Sequence, residues 1–248
     1  MDVSRAFVAL FAFILISAPM SLLAEQGDQA EIESIRKTLQ ERFPKMTIVD
    51  VQRSRFLPLY EVFTGRQIYY TDGSADFLFR GVVVDTRDQR NVTEERVDER
   101  NAIDFGSLPF DRAVKIVRGD GTRKLAVFSD PDCPFCRKLE GELKSVSDVT
   151  LYIFLLPLPQ IHPKAEVRAK AIWCARDRAS AWTQYMLEKK EPQAAPCAED
   201  PVASTRALAE KLNISGTPTL YFENGSRVGG APNASEIEGR MMAARGGP

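Results

Sequence analysis

The sequence has a single histidine, His162, in 248 residues. A structural zinc site needs four ligands, usually in two tight knuckles. The remaining soft candidates, Cys133, Cys136, Cys174 and Cys197, do not fall into that spacing, and no metal is expected. Charge of one sign is lacking too: 33 basic residues against 34 acidic ones leave a formal net charge of -1. That removes the global field that draws a chain to nucleic acid or to an anionic membrane. There is no internal repeat and no low-complexity tract. The longest apolar run, residues 6–20, is roughly 15 residues against the ~20 that a spanning helix needs. What is present is 44% hydrophobic and 27% charged, the composition of a globular chain with a real core.

The apolar run follows one cation, Arg5, and precedes a small residue, Ala24, and polar Glu25. That order is the pattern of a secretory signal peptide, which puts residues 1–24 in the signal and leaves no stable membrane insertion after cleavage. Leu22 is larger than the residue usually preferred three positions before the cut. All four cysteines lie in the exported part, where disulfides persist. They can pair in three ways. The short reach between Cys133 and Cys136 makes that pair, with Cys174 to Cys197 as remainder, the simplest.

After the leader, Ile32, Ile35 and Leu39 give one apolar stripe and predict a helix over residues 28–43, stopped by Pro44. Short extended runs over 59–63, 67–70, 76–80 and 82–84, broken at Thr64-Gly65 and Asp72-Gly73, predict an antiparallel meander. A layer this small, over residues 25–85, has exposed strand edges and a weak core, and a second copy would cover both. Residues 86–112 are strongly polar and predict a solvated linker helix. A second domain over 113–248 then reads as an α/β layer. A buried strand at 124–129 runs into a helix ending at Leu143, a strand follows at 149–156, and a mostly helical stretch occupies 164–212. The strand at 219–222, the Asn224-Gly225 turn and a short strand near Val228 complete it.

The chemistry concentrates in Cys133-Pro134-Phe135-Cys136. A thiolate, not a thiol, attacks disulfides, so a reactive cysteine needs something that favours the anion. Pro134 suits the first position of a helix, which puts Cys133 at the N-cap among free amides, its sulfur exposed, and Cys136 one turn deeper as the resolving thiol. Asp130 and Asp132 bring negative charge beside Cys133, and no histidine lies inside the motif. Weaker stabilisation of the thiolate than in DsbA, at ~3.5, is therefore expected. About eighty residues on, Gly216-Thr217-Pro218-Thr219 joins a helix to a strand. A cis Thr217-Pro218 bond facing the cysteines would hold the Thr217 backbone ready to pair with a substrate strand.

Phe128-Ser129-Asp130 before the C-x-x-C, Ala171-Ile172-Trp173-Cys174-Ala175, and Ile214-Ser215-Gly216-Thr217-Pro218 resemble the bacterial DsbC/DsbG family of periplasmic disulfide isomerases. The resemblance covers nearly the whole mature chain. It implies an α+β two-domain homodimer: an N-terminal cystatin-like dimerisation domain, a linker helix, and a C-terminal thioredoxin-like α/β domain with a helical insertion. It implies Cys133 as nucleophile, Cys136 as resolving thiol, Pro218 as the cis-proline and Cys174 to Cys197 as a non-catalytic disulfide. The implied partners are misoxidised exported proteins and a membrane thiol reductant of the DsbD type. Pro134-Phe135 stands where DsbC carries glycine-tyrosine, a place that tunes redox poise.

The favoured activity is periplasmic disulfide isomerisation with chaperone-like client binding. The rivals are a monomeric dithiol oxidase, a DsbG-like reductase of single oxidised cysteines, and a non-catalytic client-binding module. His162 sits in a proline-rich loop and reads as a bland surface residue. Trp173 and Trp182 read as packing residues, and the Asn-x-Ser/Thr matches are set aside.

Overall fold

The computed structural model describes the backbone of residues 20–246 and the side chains from residue 27 onward. The apolar run read as an export signal lies, through residue 19, outside the described residues. Packing divides the chain into two compact units, one comprising residues up to 64 with 69–80, the other 65–68 with residues from 81 onward.

In the first unit, helix α1 (Met20–Arg42) starts earlier than the expected residue 28 and ends just before Pro44. Its stripe is the predicted one. Ile35 and Leu39 are buried against Val51 of β1 (Asp50–Arg53) and Tyr60 and Val62 of β2 (Tyr60–Phe63). Strands β3 (Ile68–Thr71) and β4 (Leu78–Phe79) complete a four-stranded sheet in the order β1-β2-β3-β4. Gly65 turns the chain between β2 and β3 at φ 83°, a conformation that side chains with a Cβ resist. Strand β1 had no sequence signal strong enough to be read.

The run at 82–84 does not join this sheet. Strand β5 (Val84–Asp85) pairs with β6 (Arg90–Asn91), because the Asp85 carboxylate holds the backbone amide and guanidinium of Arg87 and closes a local hairpin. The expected solvated linker is corrected as well. Helix α2 (Val92–Arg100) is capped by the Asn91 side chain on the Glu94 amide, and it buries Val92, Thr93 and Arg96. Arg240 reaches Asp98 at 3.2 Å. Beyond α2, Phe105 and Leu108 join a core cluster with Phe128 and Phe154. Few apolar residues recur in this stretch, but Val92, Phe105 and Leu108 among them are buried.

The rest of the second unit is a five-stranded sheet with helices. Its elements are β7 (Val114–Arg118), β8 (Arg123–Ser129), α3 (Pro134–Leu143), β9 (Val149–Leu155), α4 (Ala165–Trp173), α5 (Arg178–Glu188), α6 (Val202–Lys211), β10 (Thr219–Phe222), β11 (Arg227–Gly229) and α7 (Ala234–Ala244). The sheet order is β11-β10-β8-β9-β7. Only β8 and β9 are parallel, with Ser129 opposite Leu155, and both are near-continuous apolar runs buried on two faces. The C-terminal ends of these strands therefore open on the same edge, and whatever follows either strand meets there. The helical stretch at 164–212 is three helices interrupted by a loop at 189–201.

Candidate active site

Cys133 is the N-cap of α3, with Pro134 at its first position. Its sulfur is not exposed as expected. The residue retains 5% of its surface, packed in the core cluster, and its thiol faces the Thr217 carbonyl at 3.4 Å. The Thr217-Pro218 bond is cis and faces the cysteine. Cys136 is fully buried, and the Asp130 backbone N–H donates to its Sγ at 3.4 Å. Both thiols are free, and between them Phe135 stands 63% exposed.

These surroundings split the two thiols. Cys133 is brought down to about 5, first by the hydrogen bond that the Cys136 thiol donates, then by the Cys136 and Phe135 amides and the Thr217 hydroxyl, with burial opposing. That hydroxyl is buried and makes no hydrogen bond of ordinary geometry. Cys136 moves strongly the other way, because burial penalises its anion and its proton already serves Cys133. The surroundings thus favour the anion at Cys133 and the protonated thiol at Cys136.

The negative flank expected beside Cys133 is answered by groups from distant elements. The Asp132 carboxylate pairs with Arg168 of α4 at 2.8 Å and accepts from the Tyr185 hydroxyl of α5 at 2.6 Å. Arg168 also holds Glu191 in the 189–201 loop. Asp130 has no exposed surface, and its carboxylate accepts from the amides of Asp132 and Leu158 and from His162 Nδ1 at 2.9 Å.

Residues 110–245 match the family described as thioredoxin-like domain, and residues 24–94 match the family described as disulfide bond isomerase protein N-terminal domain. The probable thiol:disulfide interchange protein DsbC of Bordetella parapertussis is 34% identical over 216 residues, covering 87% of this chain and 76% of that protein. The chain belongs to the DsbC family. The thiol:disulfide interchange protein DsbC of Escherichia coli K12 is 26% identical over 215 residues, covering 85% of this chain and 87% of that protein. A crystal structure of a disulfide interchange protein from Neisseria gonorrhoeae superposes with a TM-score of 0.53 at 43% identity, covering 56% of this chain and 99% of that one.

As a DsbC-family member the protein is a thiol-disulfide oxidoreductase with an N-terminal domain ahead of a thioredoxin-like domain, the α+β architecture expected from the sequence. The structure joins Cys174 to Cys197, with Cα atoms 5.4 Å apart, which ties the 189–201 loop to the end of α4. Trp182 is buried and donates to Glu140, and Trp173 donates to the Glu199 carbonyl. Among the described residues no group of three or more His, Cys, Asp or Glu is arranged to hold a metal ion, and no helix is long and apolar enough to cross a membrane.

The loop that carries His162 is surface as read, with Gln160, Ile161, Pro163 and Lys164 exposed, but the His162 ring turns in to Asp130. The loop follows β9, whose end lies beside the end of β8. The parallel pairing of the two strands was the available signal.

Proposed function

We propose that this protein is a periplasmic disulfide isomerase acting through Cys133 and Cys136, and the carrying observation is Cys133 at the N-cap of α3 beside the cis Thr217-Pro218 bond, with Cys136 buried one turn deeper. The Cys133 thiolate attacks one sulfur of a wrong client disulfide. An S–S bond forms between Cys133 and that sulfur, and the other client sulfur leaves as a thiolate. A client thiolate then attacks the mixed disulfide, makes a new client disulfide and restores the Cys133 thiolate, with no net electron transfer.

The alternative exit is attack by Cys136, which reduces the client and leaves Cys133 joined to Cys136. A membrane thiol reductant of the DsbD type would reset that state. Because Cys136 is buried and holds its proton, this exit is slow, and the mixed disulfide persists long enough for client thiols to rearrange. That balance favours isomerisation over simple oxidation or reduction. Thr217 and Pro218 are the proposed client-binding residues: the Thr217 carbonyl beside Cys133 is a backbone acceptor for an extended client strand. The exposed side chains Phe56, Phe77 and Phe79 of the first unit support pairing of two copies there and chaperone-like holding of apolar clients.

Reactivation of a scrambled disulfide substrate tests the proposal. Wild type restores activity with catalytic reductant, and Cys133→Ala does not. Equal reactivation by Cys133→Ala would sink it.

A further inference from the structure

The buried Asp130 is the hub of the turn that presents Cys133. Its carbonyl accepts from the Cys133 amide at 3.2 Å, its own amide donates to Cys136 Sγ at 3.4 Å, and its carboxylate orders the Asp132 and Leu158 amides. The remaining partner of that carboxylate is a ring nitrogen of the sole histidine, brought from the loop after β9. A wholly buried carboxylate needs a compensating charge or donors to remain ionised.

We propose that His162 is a positioning residue for the exchange chemistry: held as an imidazolium on Asp130, it supports the Cys133 thiolate and withdraws that support where it becomes neutral. The proposal rests on Cys133 being the attacking sulfur. His162 makes and breaks no bond to sulfur.

The charged groups facing His162 are Asp130 and Asp132 from the turn before α3, and Cys133 itself. Arg168 of α4 is engaged with Asp132 and Glu191. The Asp130 hydrogen bond, foremost, raises the His162 pKa above its ordinary value, and the Cys133 charge adds to it. Thiolate and imidazolium thus coexist from about pH 5 up to the raised His162 value. Coupling of this kind is reciprocal: the thiolate favours the imidazolium by the factor with which the imidazolium favours the thiolate.

The experiment uses the fact that this protein has one imidazole, so its ring protons give an NMR titration that needs no assignment. Reduced wild type is compared with reduced Cys133→Ala over pH 5 to 9. Loss of the sulfur charge is expected to lower the His162 pKa by about half a unit, roughly a threefold change in its ionisation ratio. Identical titrations in the two proteins would overturn the proposal, and this arm does not depend on any His162 variant folding. In the reciprocal arm, His162→Gln raises the Cys133 midpoint, followed by thiolate absorbance near 240 nm, by the same amount. Mixed-disulfide trapping on wild type separates the two readings. An adduct at Cys133 with an unmoved histidine refutes the inference and leaves the proposed function standing. A moved histidine with no adduct refutes the function and leaves the coupling.

Discussion

Replacing Cys136 by alanine removes the thiol that donates to the Cys133 sulfur but leaves the helix end, its amides and the Thr217 hydroxyl in place. That donation does the most to hold Cys133 down at about 5. A hydrogen bond to a charged group is worth about 1.5–3 kcal/mol. At 1.36 kcal/mol per unit, its loss raises the Cys133 pKa by about 1–2 units, to roughly 6–7. A single rate would hide this. At pH 6 the ionised fraction falls about fourfold for a rise of ~1.5 units, but a thiolate of higher pKa is intrinsically more nucleophilic, by about fivefold at a Brønsted slope of ~0.45. The two nearly cancel. The signature is therefore in the profile of iodoacetamide alkylation from pH 4 to 9. Its midpoint climbs by one to two units and its plateau rises about fivefold. Cys136→Ser retains an O–H donor and shows a smaller shift. A midpoint that stays near 5 in Cys136→Ala would refute the reasoning and hand the ionisation of Cys133 to the backbone amides alone.

The reduced protein's stability carries the same asymmetry. The folded Cys133 pKa is depressed, so its contribution is present above the unfolded thiol pKa and is lost as pH falls through about 5. The difference in Tm between reduced and oxidised protein is expected to grow in favour of the reduced form from pH 5 to 8, and calorimetry at both values checks it. Glu140 is buried with its Oε2 lacking a hydrogen-bond partner, and burial raises its pKa against the opposing Trp182 donor and Arg118. A raised value means stability present at low pH and lost as pH rises through it, so Glu140→Gln, which keeps an acceptor for Trp182, gains in Tm relative to wild type at pH 8 more than at pH 5. A gain that is the same at both pH values refutes this. Gly225→Ala meets a φ of 81° and a Cβ position 1.9 Å from the Ile103 carbonyl oxygen. It should cost about 2 kcal/mol or more, a fall in Tm of roughly 5 °C, and an unchanged Tm would contradict it.

Elements with a strong local pattern were legible in the sequence. The run Lys124 to Ser129, the proline start of α3 and the apolar strand before Leu156 lie where the residues indicate. Strand β7 escaped because Val114-Lys115-Ile116-Val117-Arg118 is five residues long and pairs at the sheet's edge beside β9, a contact that no local signal announces. Helix α7 escaped because its sequence, with a central Gly239 and a weak apolar stripe of Ile237 and Met241, is held by the core it meets rather than by propensity. At the site, the Cys133 cap was readable from one proline. The sulfur's cover, the Arg168 and Tyr185 clamp on Asp132, and the His162 contact were not, because each partner lies from 32 to 84 positions away.

Those distant partners explain how Asp-Pro-Asp-Cys, a local sequence hostile to an anion, can hold one. Two carboxylates beside a thiolate would raise its pKa if they faced it unpaired. Here each is spent on fixing the turn: Asp130 orders two amides and a ring nitrogen, and Asp132 draws α4 and α5 onto the cysteine. The amides of α3 remain free for the sulfur. The Thr217 carbonyl then takes on a second meaning under the exchange reading. It suits a Cys133 S–H, but an acceptor dipole opposes an ionised sulfur, whereas a client N–H satisfies it. Under the proposed exchange, ionisation of Cys133 and pairing of a client strand with Thr217 would favour each other, and the carbonyl over the sulfur would be held weakly in the state that reacts.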